Sequence, residues 1–176
     1  MKYFEMTLKA ELESRSGASD YLRDPGDAVL ITRGTPRWLI MKCPCGCGDE
    51  IPVNLDRRSG KAWRLYRGGI TGITLYPSVW RDTGCKSHFV VWRDQILMFG
   101  GGYRRVKPIR AEIDLEHLTD AVLMAWPKDG YVFYADVAEM LQEIPWDVLE
   151  ACRDLVDAGK LVEGVGPMEG HFCCVS

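Results

Sequence analysis

Long apolar runs are missing from this 176-residue chain: none approaches the roughly 18 residues that would read as a membrane span. A secretory signal needs an apolar stretch behind a basic start. Residues 1–16 are instead interrupted by Lys2, Glu5, Lys9, Glu11, Glu13 and Arg15, so a cytoplasmic protein is expected. Histidine is scarce, with three in the chain, and no His-Glu-x-x-His occurs, which removes the usual zinc-metallopeptidase arrangement. Gly100-Gly101-Gly102 lacks the Lys-Ser/Thr that follows in a phosphate loop, so nucleotide chemistry has no support. Repeats and low-complexity segments are absent too. What is present, 47% apolar and 27% charged residues, is the composition of a soluble globular protein with one ordinary domain or two small ones.

Each half is poor in charge of one sign. Residues 1–110 hold 19 Lys+Arg against 11 Asp+Glu, a net of +8, and residues 111–176 hold 3 against 14, a net of −11. Two parts with different partners are implied.

The first part reads as short strands. Met6, Leu8, Ala10 and Leu12 alternate with polar neighbours at period two. Residues 28–32 and 38–41 flank a turn at Arg33-Gly34-Thr35-Pro36, and further strands are expected at 51–55, 62–66, 73–76, 88–92 and 96–99, the last two around Arg93-Asp94. After Pro108 the period changes. Ile113, Leu118, Ala121, Val122 and Ala125 fit one helix face ending near Pro127, a second helix fits 135–141, and a third starts at Pro145. That third helix carries a stripe of Val148, Leu149, Cys152, Leu155 and Val156, with Gly159 placed to cap it. Residues 161–165 and 172–175 then suit a hairpin, and three helices followed by a hairpin is the order of a winged-helix module. The fold class expected is therefore α+β: a small zinc-stabilised, strand-rich domain over 1–110, then an acidic winged-helix-like module over 111–176.

Seven cysteines is an odd number, and three of them fall in Cys43-Pro44-Cys45-Gly46-Cys47-Gly48. In a reducing compartment this pattern points to metal before disulfides. Thiolates on a tight Pro/Gly turn suit a soft four-coordinate ion, so a structural zinc is expected. Cys85 is the remaining cysteine of the strand-rich part, making Cys43, Cys45, Cys47 and Cys85 the ligand set, with His88 or an acidic group as replacements for one of them. Cys152 belongs to a helical core stripe, and the adjacent Cys173 and Cys174 would face opposite ways in a strand.

The combination of Cys43 to Gly48, Trp63, Leu75-Tyr76-Pro77-Ser78 and Cys85-Lys86-Ser87-His88-Phe89 resembles a bacterial family found in operons with ubiquitin-like proteins and relatives of their activating and conjugating enzymes. The likeness covers residues 25–100 and leaves the acidic module outside. It implies a zinc-containing serine peptidase, deubiquitinase-like, that processes or removes a ubiquitin-like protein.

Catalytic residues are argued from the chain itself. A serine hydrolase needs a base within reach of its hydroxyl and a group that fixes the imidazole. His88 is the base by elimination, because His117 begins a helix and His171 sits in a Gly-flanked turn. Ser87 adjoins His88, but successive strand residues face opposite sides, so it pairs with His88 only if the chain bends. Ser78 can lie opposite or diagonal to His88 if residues 72–78 run antiparallel to 88–92, which makes it the preferred nucleophile and Ser87 the second choice. Glu50, with Asp49 behind it, follows the metal loop and is the expected orienting acid. The bland reading leaves Ser78 ending a strand, Ser87 bonding the metal loop and His88 packed or ligating zinc. The resemblance tips the balance toward catalysis.

The competing class is a non-catalytic zinc-ribbon and winged-helix adaptor, or a nucleic-acid-binding protein. Arg57, Arg58, Lys61, Arg64 and Arg67 with Trp63 and Tyr66 would supply its phosphate contacts and stacking surface. Against DNA stands the third helix, with Asp147, Glu150, Asp154 and Asp157 beside Arg153 alone. An acidic module of this kind suits docking to a protein partner.

Overall fold

The computed structural model describes residues 4–68, 72–99 and 115–175, so Gly100 to Gly102 and Ile113 lie outside the described residues. The chain forms two compact units, Met1–Arg110 and Ala111–Ser176.

The first unit is built from ten strands: β1 (Phe4–Glu5), β2 (Thr7–Leu12), β3 (Asp27–Arg33), β4 (Thr35–Lys42), β5 (Glu50–Asn54), β6 (Arg64–Gly68), β7 (Gly72–Tyr76), β8 (Val79–Trp80), β9 (His88–Trp92) and β10 (Gln95–Met98). They form one sheet in the order β2-β3-β4-β5, a second in the order β1-β10-β9-β8, and the ribbon β6-β7. Alternation explains how the layers meet. Ala28, Leu30, Leu39, Met41 and Cys43 face one way and join Ile73, Leu75, Val79, Phe89, Val91 and Ile96 in the main core. Val29, Ile31 and Ile40 face the other way and are covered by Ala18 and Leu22, in and just after a 3-10 turn at Ala18–Tyr21. Burial on both faces is why residues 28–31 read as a continuous apolar run. Each side chain as fully buried as Phe89 or Leu30 contributes about 1.5–3 kcal/mol.

Two features depart from the sequence reading. β2 pairs parallel to β3, a crossover closed by residues 13–26, whereas local alternation carries no information on strand direction. The expected pairing of 72–78 with 88–92 is replaced: residues 72–76 pair with β6, and only Val79 and Trp80 join β9, opposite Phe89 and His88. The Tyr76–Pro77 bond between these segments is cis. β7 still reaches the β9–β10 turn, where Asp94 Oδ1 accepts the Ile73 N–H at 2.8 Å and the Asp94 N–H bonds Ile73 O at 2.9 Å. Gly72 is needed at this approach, since a Cβ there would lie 2.3 Å from Asp94 Oδ2.

The second unit runs α1 (Leu115–Ala125), β11 (Val132–Phe133), α2 (Tyr134–Leu141), α3 (Pro145–Asp157), β12 (Leu161–Glu163) and β13 (His171–Cys174), with sheet order β11-β13-β12. Pro145 opens α3, and Gly159 follows it at φ +69° with the Lys160 N–H bonded to Leu155 O at 2.8 Å. The short strand β11 has no counterpart in the sequence reading. Of the four carboxylates that α3 carries, Asp147 and Glu150 are 1% and 5% exposed and turn inward, while Asp154 is half-buried and Asp157 exposed.

Candidate active site and metal centre

The cysteine loop begins where β4 ends. Period two places Cys43 on the core face beside Leu39 and Met41, and its N–H bonds Asp49 O at 2.8 Å, closing the loop at its base. Inside it the Gly46 N–H bonds Cys43 O at 3.2 Å, and Gly46 and Gly48 take φ of +85° and +87°, the left-handed region that an L side chain resists. A turn at 83–86 brings in Cys85, with the Lys86 N–H on Thr83 O at 3.3 Å. The sulfurs of Cys43, Cys45, Cys47 and Cys85 all lie within 4.8 Å of one another. Cys43 Sγ is 3.2 Å from Cys45 Sγ and 3.7 Å from Cys85 Sγ. Tetrahedral zinc with Zn–S of about 2.3 Å requires sulfurs about 3.8 Å apart, so this donor set can hold a metal ion and fits zinc.

The electrostatics suit a bound cation. Desolvation and the neighbouring Cys43 thiol push Cys45 up to about 12, because crowded sulfurs resist a second negative charge. Cys85 is drawn down to about 6, chiefly by hydrogen bonds that the hydroxyl and backbone N–H of Ser87 donate to its thiolate. Arg81 adds a positive charge, with Nη1 donating to Asp49 Oδ2 at 2.7 Å and to Cys85 Sγ at 3.4 Å. That pairing holds the Asp49 carboxyl below its ordinary value. With a metal bound, the four sulfurs would fill its coordination, and the arginine and serine beside them would supply a supporting shell.

Ser87 immediately precedes β9, His88 opens it, and their side chains point to opposite faces. Ser87 is 6% exposed and its Oγ lies 3.4 Å from Cys43 Sγ and 3.3 Å from Cys85 Sγ, so it belongs to the thiol cluster. His88 faces the other way, and its Nε2 is 3.0 Å from Ser78 Oγ. Ser78 precedes β8, and the register Trp80↔His88 puts it diagonal to the imidazole. The ring stacks on Phe99 at a centroid distance of 4.1 Å and 25°, with Trp80 tilted on it at 5.8 Å. Burial lowers the His88 pKa from the ordinary 6.5, keeping the imidazole neutral and able to accept a proton. Trp63 Nε1 donates to Ser78 O at 3.2 Å and fixes the backbone at the hydroxyl.

Glu50, expected to orient the imidazole, is exposed and accepts a hydrogen bond from Ser19 Oγ at 3.0 Å. Asp49 is held by Arg81. Among the described residues no carboxylate reaches His88 Nδ1, and Phe99 and Trp80 define the ring plane instead. Both aromatics were missed as site residues, since finding them requires the β8–β9 register and the β9–β10 hairpin together.

The basic stretch of the adaptor reading is largely occupied. Arg58 forks onto Asp56 at 2.9 and 3.1 Å, Arg67 pairs with Glu11, and Trp63 packs against the core. A separate cavity of about 420 Å³ is lined by Arg15, Arg33, Arg37, Trp38 and Asp56 among others. Its guanidiniums are also engaged: Arg15 lies over Trp38, Arg33 donates to Glu13 O and Arg37 pairs with Asp56. No helix among the described residues is long and apolar enough to cross a membrane.

Residues 15–99, which contain every side chain of this site, match the family model described as bacterial ubiquitination-like system serine protease (BubE). No curated protein and no solved structure gives a significant match to the chain.

Proposed function

We propose that this chain is a serine peptidase of a bacterial ubiquitination-like system, cleaving at the carboxyl end of a ubiquitin-like protein, with Ser78 as nucleophile and His88 as general base. The observation that carries the reading is the 3.0 Å contact between Ser78 Oγ and His88 Nε2, inside the segment that matches the serine-protease family. The substrate rests on that family's description alone.

In the first step Ser78 Oγ attacks the scissile carbonyl while its proton passes to His88 Nε2; the imidazolium then protonates the leaving amine, and an acyl-enzyme remains. Water, deprotonated by the same nitrogen, releases the acid and restores the hydroxyl. Stacking on Phe99 keeps the imidazole aligned through both transfers, a task given to a carboxylate in three-residue sites. Cys43, Cys45, Cys47 and Cys85 would hold zinc, which supplies cross-linking rather than reaction chemistry because four thiolates leave it no open position. The acidic second unit is read as a winged-helix-like module that docks a protein partner. Its order of three helices with a β13–β12 hairpin supports this, as does the shortage of cations for phosphate.

The test is cleavage of a ubiquitin-like protein carrying a carboxyl-terminal extension. His88→Ala and Ser78→Ala should each abolish it while zinc content is kept. If Ser78→Ala and Ser87→Ala both cleave like wild type, and a chelator stops the reaction without unfolding the protein, the metal is the catalyst and the mechanism is wrong.

A further inference from the structure

We propose that Trp80 positions the substrate, holding an extended polypeptide by backbone pairing at its own position on the edge of β8, which no other described strand covers, and against its indole; the proposal rests on the Ser78–His88 reading. Three observations converge on this residue. The first is its place at an edge, since among the described residues β8 ends the order β1-β10-β9-β8. An edge strand presents backbone groups that invite another strand.

The second is direction. The Arg81 N–H bonds Ser87 O at 2.9 Å, so Arg81 turns its backbone toward β9. In an antiparallel ladder the next residue turns both its N–H and its C=O away, which places those of Trp80 on the outer side. Two neighbours agree. Ser78 O, also outward, accepts from Trp63 Nε1, and His88, opposite Trp80, has its carbonyl bonded to the Phe99 N–H at 2.8 Å on the far side of β9. Among the described residues nothing bonds the Trp80 N–H or C=O.

The third is the side chain. Trp80 is 71% exposed, and its ring lies 5.8 Å from the His88 ring on the Ser78 side of the sheet. An indole left open beside a reactive hydroxyl offers apolar surface to whatever chain enters there.

The pairing also sets the register. One residue of an antiparallel segment exchanges both hydrogen bonds with Trp80. Ser78 lies two residues earlier, about 6.5–7 Å along the strand. The residue paired with Trp80 is therefore two positions to the amino side of the one whose carbonyl meets Ser78 Oγ. The substrate class is an unfolded segment with an unblocked N–H and an apolar side chain at that position, as an extended terminal tail provides and a folded loop does not.

Two phosphonylating probes on the full-length protein test this. Diisopropyl fluorophosphate needs only the nucleophile, whereas a tripeptidyl diphenyl phosphonate with leucine two positions before the phosphonate residue needs the edge as well. In wild type, N-methylation of that leucine should slow the peptidyl probe about tenfold, the loss expected of one hydrogen bond. Trp80→Ala should lower the ratio of peptidyl to small-probe rates about tenfold, and Trp80→Phe should recover part of it. A ratio unmoved by both N-methylation and Trp80→Ala overturns the proposal, as does a wild-type protein that takes the small probe and ignores the peptidyl one. Failure of the small probe to label Ser78 removes the underlying reading instead.

Discussion

Ser87 and His88 are neighbours at the start of β9, one just before the strand and one its first residue, and they belong to different clusters. Ser87, 6% exposed, contacts the sulfurs of Cys43 and Cys85, and half-buried His88 meets Ser78 and is flanked by Trp80 and Phe99. The thiol cluster depends on closure, because its sulfurs come from residues 43–47 and 85, far apart in the chain, and could be joined by a metal ion. The serine–histidine pair depends on register, because one residue of slip at β8–β9 would turn Ser78 away from the imidazole. Two adjacent residues thus face a thiol cluster and the proposed catalytic pair, and each side can be perturbed with the other as control.

The largest expected separation comes from the chemical face. Ser78→Ala or His88→Ala should lower kcat by about 10⁴-fold or more, with metal content and unfolding midpoint unchanged. Joint loss of metal would show that the faces are not separable. Next is Cys43→Ser, at a 0% exposed ligand position, which should cost about 4 kcal/mol or more and remove the metal. Cleavage should fall with it through loss of the β9 position, and thermal unfolding with metal analysis checks both. A Cys43→Ser protein that is metal-free yet equally stable would break the comparison. Ser87→Ala sharpens it, since loss of the cluster's hydroxyl should weaken metal binding about 10- to 100-fold in chelator competition, with cleavage surviving at saturating zinc. Loss of cleavage there would make Ser87 the nucleophile.

The smallest effect is in the pH profile. Burial lowers the His88 pKa, so the neutral base should persist below 6.5 and the acid limb of kcat/KM should fall under that value. In stability the sign is the same: between the lowered folded value and 6.5 the unfolded chain binds more protons, so acidification through that window disfavours the fold. A limb above 6.5 would mean a negative group holds the imidazolium.

β2 could be read from period two because one of its faces is covered and the other open, β3, β7 and β9 as short apolar runs because they are buried on both faces, and the 93–94 turn from its sequence. Both its residues take positive φ, +53° and +62°, as a two-residue hairpin requires. The cysteine cluster was legible because spacing on a Pro/Gly turn is itself local geometry. The nearness of Ser78 to His88 could be anticipated as one option among several. Phe99, Trp80, Arg81 and the parallel β2–β3 pairing could not, since they follow from which strands meet. Glu50 was chosen for sequence proximity to the metal loop, yet its side chain goes to Ser19. The inward turn of Asp147 and Glu150 shows the same limit, because a helical wheel marks faces without saying how wide the covered one is.

Phe99, stacked on His88, lies twenty-one residues after Ser78 in the chain. On the ribosome, a nascent chain that has just reached Cys85 holds the serine and all four sulfurs but neither the imidazole nor its aromatic support. Cys85 and His88 are made three residues apart and Phe99 follows eleven residues after the histidine, so the stacking partner of the ring is the last part of the two clusters to be synthesised.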